Sequence, residues 1–135
     1  MKKIFFCLLA VAFLLTTMSG CRKDIYGCTD PYAYNYNSAA NLSNGSCVYT
    51  GPVMFWTNQN EGTVTITING QTATITGFVL GGVPSCGNSV SANFTLVEGT
   101  YTYTATAPPS PSYPSGYSIS GNAQAVRGVC QAYQL

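Results

Sequence analysis

The stretch from Thr63 to Thr76 constrains the fold more than any other part of the chain. It reads Thr-Val-Thr-Ile-Thr-Ile, then Asn69-Gly70, then Gln-Thr-Ala-Thr-Ile-Thr. Apolar and hydroxyl side chains alternate with period two on both sides of the Asn-Gly pair. That is the pattern of half-buried strands, whose successive side chains point to opposite faces. Asn-Gly is the favoured two-residue hairpin connection, because a type I′ turn needs positive φ at both positions and these residues tolerate it. Closing the turn there sets Ile66 opposite Ala73 and Val64 opposite Ile75. The same register sets Thr65 opposite Thr74 and Thr67 opposite Thr72. One face is then apolar and the other almost wholly threonine.

The same period runs on through the rest of residues 53–135. A second hairpin is expected around Glu98-Gly99, with Leu96 opposite Tyr101, Phe94 opposite Tyr103 and Ala92 opposite Ala105. Aromatic cross-strand pairs of this kind stabilise sheets. Further strands are expected at Val53–Thr57, Gly77–Leu80, Tyr117–Ala125 and Val129–Leu135. About seven short strands separated by turn residues, with no helical periodicity, predict an all-β domain over 53–135, a small antiparallel β-sandwich.

The N-terminal end has a different character. Lys2-Lys3 precede an apolar run from Ile4 to Leu15, and small residues lead to Ser19-Gly20-Cys21. The run is too short for a membrane-spanning helix, which needs about twenty residues, and suits a signal-peptide core of about 7–15. Ser19-Gly20-Cys21 resembles the lipobox of bacterial lipoproteins. That resemblance implies cleavage after residue 20, acylation of Cys21 with palmitate-type chains, and a protein anchored to a membrane without spanning it. Arg22 follows in place of the aspartate that retains lipoproteins in the inner membrane. Arg22-Lys23-Asp24 is similar to the export signal of Bacteroidota surface lipoproteins. The expected location is the outer membrane, at the cell surface, on a short tether over 21–26.

Six cysteines are present. Cys7 falls in the leader and Cys21 takes lipid, which leaves Cys28, Cys47, Cys86 and Cys130. An even number in an oxidising compartment is read as disulfides. Three connectivities are open to four cysteines; the segment organisation favours Cys28–Cys47 and Cys86–Cys130. Metal binding by these cysteines is disfavoured, since no Cys-x-x-Cys spacing and no histidine occurs.

Beyond the leader, Arg22, Lys23 and Arg127 stand against Asp24, Asp30, Glu61 and Glu98. Nucleic-acid binding needs a basic stripe to displace counterions from phosphates. Three scattered cations do not make one.

Residues 27–47 read Gly-Cys-Thr-Asp-Pro-Tyr-Ala-Tyr-Asn-Tyr-Asn, continuing to Asn44-Gly45-Ser46-Cys47. The segment resembles a cysteine-bracketed repeat of Bacteroidota surface and secreted proteins. Asp30-Pro31 and Asn44-Gly45 are turn signals, so 27–49 is expected to be a loop-rich spacer in which a disulfide substitutes for a core. Relatives of that repeat suggest calcium binding through an acidic pair. Here Ser43 and Asn44 replace the pair and leave Asp30 as the one carboxylate, against the six to eight oxygens that calcium takes. Phe55-Trp56-Thr57, Pro84-Ser85-Cys86-Gly87 and Leu96-x-x-Gly99-Thr100-Tyr101-x-Tyr103 together resemble a domain of Bacteroidota lipoproteins. More distantly they are similar to the transthyretin-like and carboxypeptidase-regulatory sandwiches, a likeness that implies a fold and no reaction.

For chemistry the inventory is thin. Glu61 and Glu98 are the one pair of glutamates that a glycosidase would need. Each stands beside a glycine and reads as a solvated turn residue, so no catalytic residue, cofactor or enzyme activity is assigned. Binding is the better reading. The proline-rich connection from Pro108 to Tyr117 is the longest irregular stretch of the domain, and its prolines favour an extended backbone. Tyr113 and Tyr117 on it offer flat rings for stacking on a glycan or a peptide. The threonine face reads as an ordinary water-facing sheet. The sequence thus predicts a non-catalytic interaction module for adhesion, or for binding glycan or protein. The alternative is a structural envelope lipoprotein docked on a partner.

Overall fold

The computed structural model describes residues 22–110 and 113–135. The leader expected over 1–20 and Cys21, the expected acylation site, lie outside the described residues. Within them the chain forms nine strands and no helix. The first two, β1 (Tyr26–Gly27) and β2 (Leu42–Ser43), make a short parallel pair inside the cysteine-bracketed segment. The other seven are β3 (Thr50–Trp56), β4 (Val64–Ile68), β5 (Gln71–Ile75), β6 (Ala92–Val97), β7 (Gly99–Ala107), β8 (Tyr117–Ala125) and β9 (Gln131–Gln134). They divide into a three-stranded sheet ordered β6-β3-β9 and a four-stranded sheet ordered β5-β4-β7-β8.

The β4–β5 hairpin has the register that the alternation demands, from Val64 opposite Ile75 to Thr67 opposite Thr72. Asn69 at φ 48° and Gly70 at φ 72° are both left-handed, as the type I′ turn requires. Val64, Ile66, Ile68 and Ile75 are buried and Thr67, Thr72 and Thr74 are exposed. β7 extends the pattern, with Thr65 opposite Thr106 and Thr67 opposite Thr104.

The second hairpin does not form. β6 pairs with β3, placing Phe94 opposite Val53 and Leu96 opposite Gly51. β7 pairs with β4 and β8, placing Tyr101 opposite Ala123 and Tyr103 opposite Gly121. At Glu98-Gly99 the chain therefore crosses from one sheet to the other. Alternation fixes which side chains face inward, and both arrangements bury the same set. What decides is the turn: Glu98 does not take the positive φ that a two-residue hairpin needs. Gly77–Leu80 is likewise not a strand. Its backbone link is Val79 N–H to the Thr57 carbonyl at 2.9 Å, and a glycine pair and Pro84 follow. The sheets are also not wholly antiparallel, since β9 runs parallel to β3.

The inner faces of the two sheets share one core, with Phe55 at its centre. Its ring meets Tyr103 at 4.6 Å, Tyr133 at 5.5 Å and, edge to face, Phe94 at 6.0 Å. Tyr103 comes from the four-stranded sheet and the others from the three-stranded one, so this cluster joins the two. Each aromatic pair adds about 0.5–1.5 kcal/mol beyond the area it buries. Met54 and Trp56 alternate with Phe55 and point the other way, yet they too are buried. The 76–91 connection crosses that side, held by the Cys86–Cys130 disulfide and by Gly87 N–H donating to Asn93 Oδ1 at 3.0 Å.

Candidate functional site

The proline-rich connection leaves β7 at Ala107 and re-enters the sheet at Tyr117, directly opposite Ala107. Ser110 and Tyr113 exchange backbone hydrogen bonds at 2.9 and 3.1 Å, and Gly116 N–H donates to the Tyr113 carbonyl at 2.9 Å. Gly116 has φ +65°, and a Cβ there would lie 2.5 Å from the Ala107 carbonyl oxygen. Only glycine fits this return. The consequence is that Tyr113 and Tyr117 meet edge to face, ring centroids 5.0 Å apart.

Beneath them lies Glu61, at 3% exposure one of the few buried polar residues. It sits on the short connection between β3 and β4. That connection is held by Gln59 N–H donating to Thr57 Oγ1 at 3.2 Å and by Glu61 N–H donating to the Gln59 carbonyl at 3.0 Å. Tyr117 donates its hydroxyl hydrogen to Glu61 Oε2. Burial, then this bond to the carboxylate, then the carboxylate's charge, hold the Tyr117 phenol well above its ordinary range. Glu61, Tyr113, Tyr117, Ile119 and Leu135 line a cavity of about 170 Å³, open to solvent and almost wholly apolar apart from the carboxylate. The expectation that Glu61 is a solvated turn residue is thus corrected. Its partner lies 56 residues away in sequence, a separation no local pattern reveals.

Glu98 is exposed and accepts the Arg127 backbone N–H at 2.9 Å. It lies at the other end of the β7–β8 ladder, where Gly99 faces Ala125, while Tyr117 faces Ala107. Eight residue steps separate the two ends, roughly 27 Å at strand rise. A glycosidase pair stands at about 5–10 Å, and the two glutamates do not make one.

That far end holds the junction with the cysteine-bracketed segment. Asp30 accepts hydrogen bonds from Tyr32 N–H at 2.9 Å and from the Tyr49 hydroxyl at 2.7 Å, and pairs with Arg127 at 3.4 Å. The Arg127 guanidinium lies over the Tyr49 ring, 3.4 Å from its centroid. The Tyr32 amide, the Tyr49 hydroxyl and then Arg127 lower the Asp30 carboxyl below its ordinary value. Asp30 thus serves the junction, with a guanidinium where a calcium reading would put its cation. No group of three or more Cys, Asp or Glu side chains comes together among the described residues.

The disulfides are Cys28–Cys47 and Cys86–Cys130, with Cα separations of 4.8 and 6.1 Å. A larger open groove of about 330 Å³ runs past Cys86, Gly87, Pro52 and Asn93, and carries no charged group. Comparison with known proteins finds no matching family model, curated protein or solved structure.

Proposed function

We propose that this chain is a lipid-anchored, non-catalytic recognition module of a bacterial outer membrane, displayed at the cell surface. In this reading the leader over 1–20 is removed and Cys21 is acylated. The stapled segment 27–49 holds a small β-sandwich clear of the bilayer, and the Tyr113–Tyr117 rim contacts a glycan or a protein. One observation carries it: the rim and the anchor-side junction occupy opposite ends of the β7–β8 ladder. With the tether attached at the Asp30 end, the paired rings face away from the membrane, where a ligand would arrive. The tyrosines are amphipathic and stiff, so they offer contact area at low entropy cost.

Two measurements test this reading. Fractionation with surface labelling should find the wild-type protein on the outer membrane and accessible on whole cells, and Cys21→Ser should release a folded soluble form. A Cys21→Ser protein that stays in the membrane contradicts the anchor. Purified full-length protein should be captured on an array of glycans and matrix proteins, and Tyr113→Ala should weaken that capture. No capture by a folded protein contradicts the binding role.

A second reading, an accessory lipoprotein docked on another envelope protein, has its own observation. Phe78, Leu80 and Val83 on the 76–91 connection are exposed, Leu80 by 76%, and exposed apolar patches mark interaction sites. Crosslinking in cells through residue 80 would then recover one dominant envelope protein.

A further inference from the structure

The cavity under the tyrosine rim has a composition that selects among ligands. Its floor is a carboxylate, 97% withdrawn from solvent with the rest of Glu61. Its walls are the rings of Tyr113 and Tyr117 and the aliphatic side chains of Ile119 and Leu135. A carboxylate in such surroundings ordinarily has a cationic partner from its own protein. Here the described cations are placed elsewhere. Arg127 lies past the far end of β8, which ends at Ala125, paired with Asp30 and stacked on Tyr49. Arg22 and Lys23 are exposed on the tether that precedes β1. Among the described residues the one ion pair is Arg127–Asp30.

We propose that the Glu61–Tyr113–Tyr117 cavity is a receptor for a quaternary ammonium group. The assignment rests on the rim being the recognition surface and specifies what that surface takes. Three features converge on it. Aromatic faces attract a cation through their quadrupole, and quaternary ammonium ions are the ligands for which aromatic cages serve best. The carboxylate supplies the counter-charge, and its own burial leaves it less screened than a surface carboxylate. The apolar walls suit methyl groups and disfavour a primary ammonium, which is strongly hydrated and needs three hydrogen-bond acceptors. Size agrees as well: an apolar cavity of about 150 Å³ holds a benzene-sized group, and a trimethylammonium with its methylene is no larger. A neutral sugar could donate hydroxyls to the carboxylate but would bring no charge to balance it.

The test uses full-length protein in a choline-free, uncharged detergent, with methyl resonances of Ile119 and Leu135 followed by NMR. Choline at up to the order of 10 mM should shift both saturably. Its neutral isostere 3,3-dimethylbutan-1-ol and the primary amine ethanolamine should each bind at least about tenfold more weakly. Glu61→Gln keeps an acceptor for the Tyr117 hydroxyl and should lose about tenfold in choline affinity. Tyr113→Ala leaves the Glu61–Tyr117 bond in place and should lose a comparable factor, with the β4–β5 resonances unmoved in both variants. Phosphocholine separates the sources: affinity matching choline's fits a lipid or glycan headgroup, and a tenfold loss fits the free cation. Equal binding of choline and its isostere, no response at Ile119 and Leu135, or undiminished binding by Glu61→Gln would overturn the assignment. If choline fails while Tyr113→Ala still abolishes capture on the array, the recognition surface stands and the ammonium assignment alone is wrong.

Discussion

The Tyr117 hydroxyl donates its hydrogen bond to Glu61 across 56 residues of sequence, and this contact closes the end of the fold opposite the Asp30–Arg127 junction. It ties the β3–β4 connection to the first residue of β8, so the buried carboxylate and the half-buried rings hold one another in place. Both partners of that bond line the cavity shared with Tyr113, Ile119 and Leu135.

Alkaline pH should act through this bond. The Tyr117 phenol is raised above its ordinary value of 10.0 in the folded protein. Between the unfolded and folded values the unfolded chain has lost a proton that the native state keeps, so stability falls as pH rises. The contribution is complete below about pH 10 and is lost progressively above it. Tyr117→Phe should cost about 1–3 kcal/mol at neutral pH by leaving Glu61 without its donor, and its stability should fall less steeply above pH 10. Tyr49 is raised in the same direction by its bond to Asp30, so part of the slope remains. Denaturant unfolding across this range checks both statements.

Gly51 and Gly121 are sites where space, not φ, requires glycine. A Cβ on Gly51 would lie 2.3 Å from the Val126 carbonyl oxygen and 2.6 Å from its nitrogen. Backbone on both sides cannot yield, so Gly51→Ala should cost about 3 kcal/mol or more, at the upper end of overpacking changes. At Gly121 the clash is with the Tyr103 ring, 2.8 Å from its hydroxyl oxygen, and a ring can tilt. Gly121→Ala should cost less, about 1–2 kcal/mol, and should broaden the aromatic resonances around Phe55. Thermal melts of the two variants give the ranking.

The disulfides should separate in their effects. Cys86–Cys130 closes a loop of 44 residues and fastens the 76–91 connection over Met54 and Trp56. Replacing both cysteines by serine should lower the stability of the β domain by about 4 kcal/mol on the chain-entropy model. Cys28–Cys47 closes only 19 residues, within a segment whose strands are two residues long. Its removal should open that segment to proteolysis while the β domain still melts cooperatively. Limited proteolysis alongside thermal unfolding distinguishes the two cases.

How much of this was legible in the sequence follows the range of the forces involved. The β4–β5 hairpin was readable to the residue, because Asn69-Gly70 and the flanking alternation are local signals for a local pairing. The same alternation around Glu98-Gly99 predicts a hairpin, and the chain there crosses between sheets. Period two reports which face a side chain takes and is silent on which strand lies beside it; the partners of Val97 and Gly99 are Thr50 and Ala125, both far off in sequence. Tyr113 and Tyr117 were legible as rings on an irregular connection. Glu61 was not legible as their partner, since a carboxylate beside a glycine resembles a solvated turn until the fold buries it.

The central claim is recognition by a rim displayed away from the membrane, and whole cells test it most directly. Cells carrying the wild-type protein or Tyr113→Ala, with equal surface labelling verified, are applied to one array of glycans and matrix proteins. The account predicts that wild-type cells are retained on specific features and that Tyr113→Ala cells lose that retention at unchanged display. Equal retention of both, or a wild-type protein that cannot be labelled from outside, would contradict it.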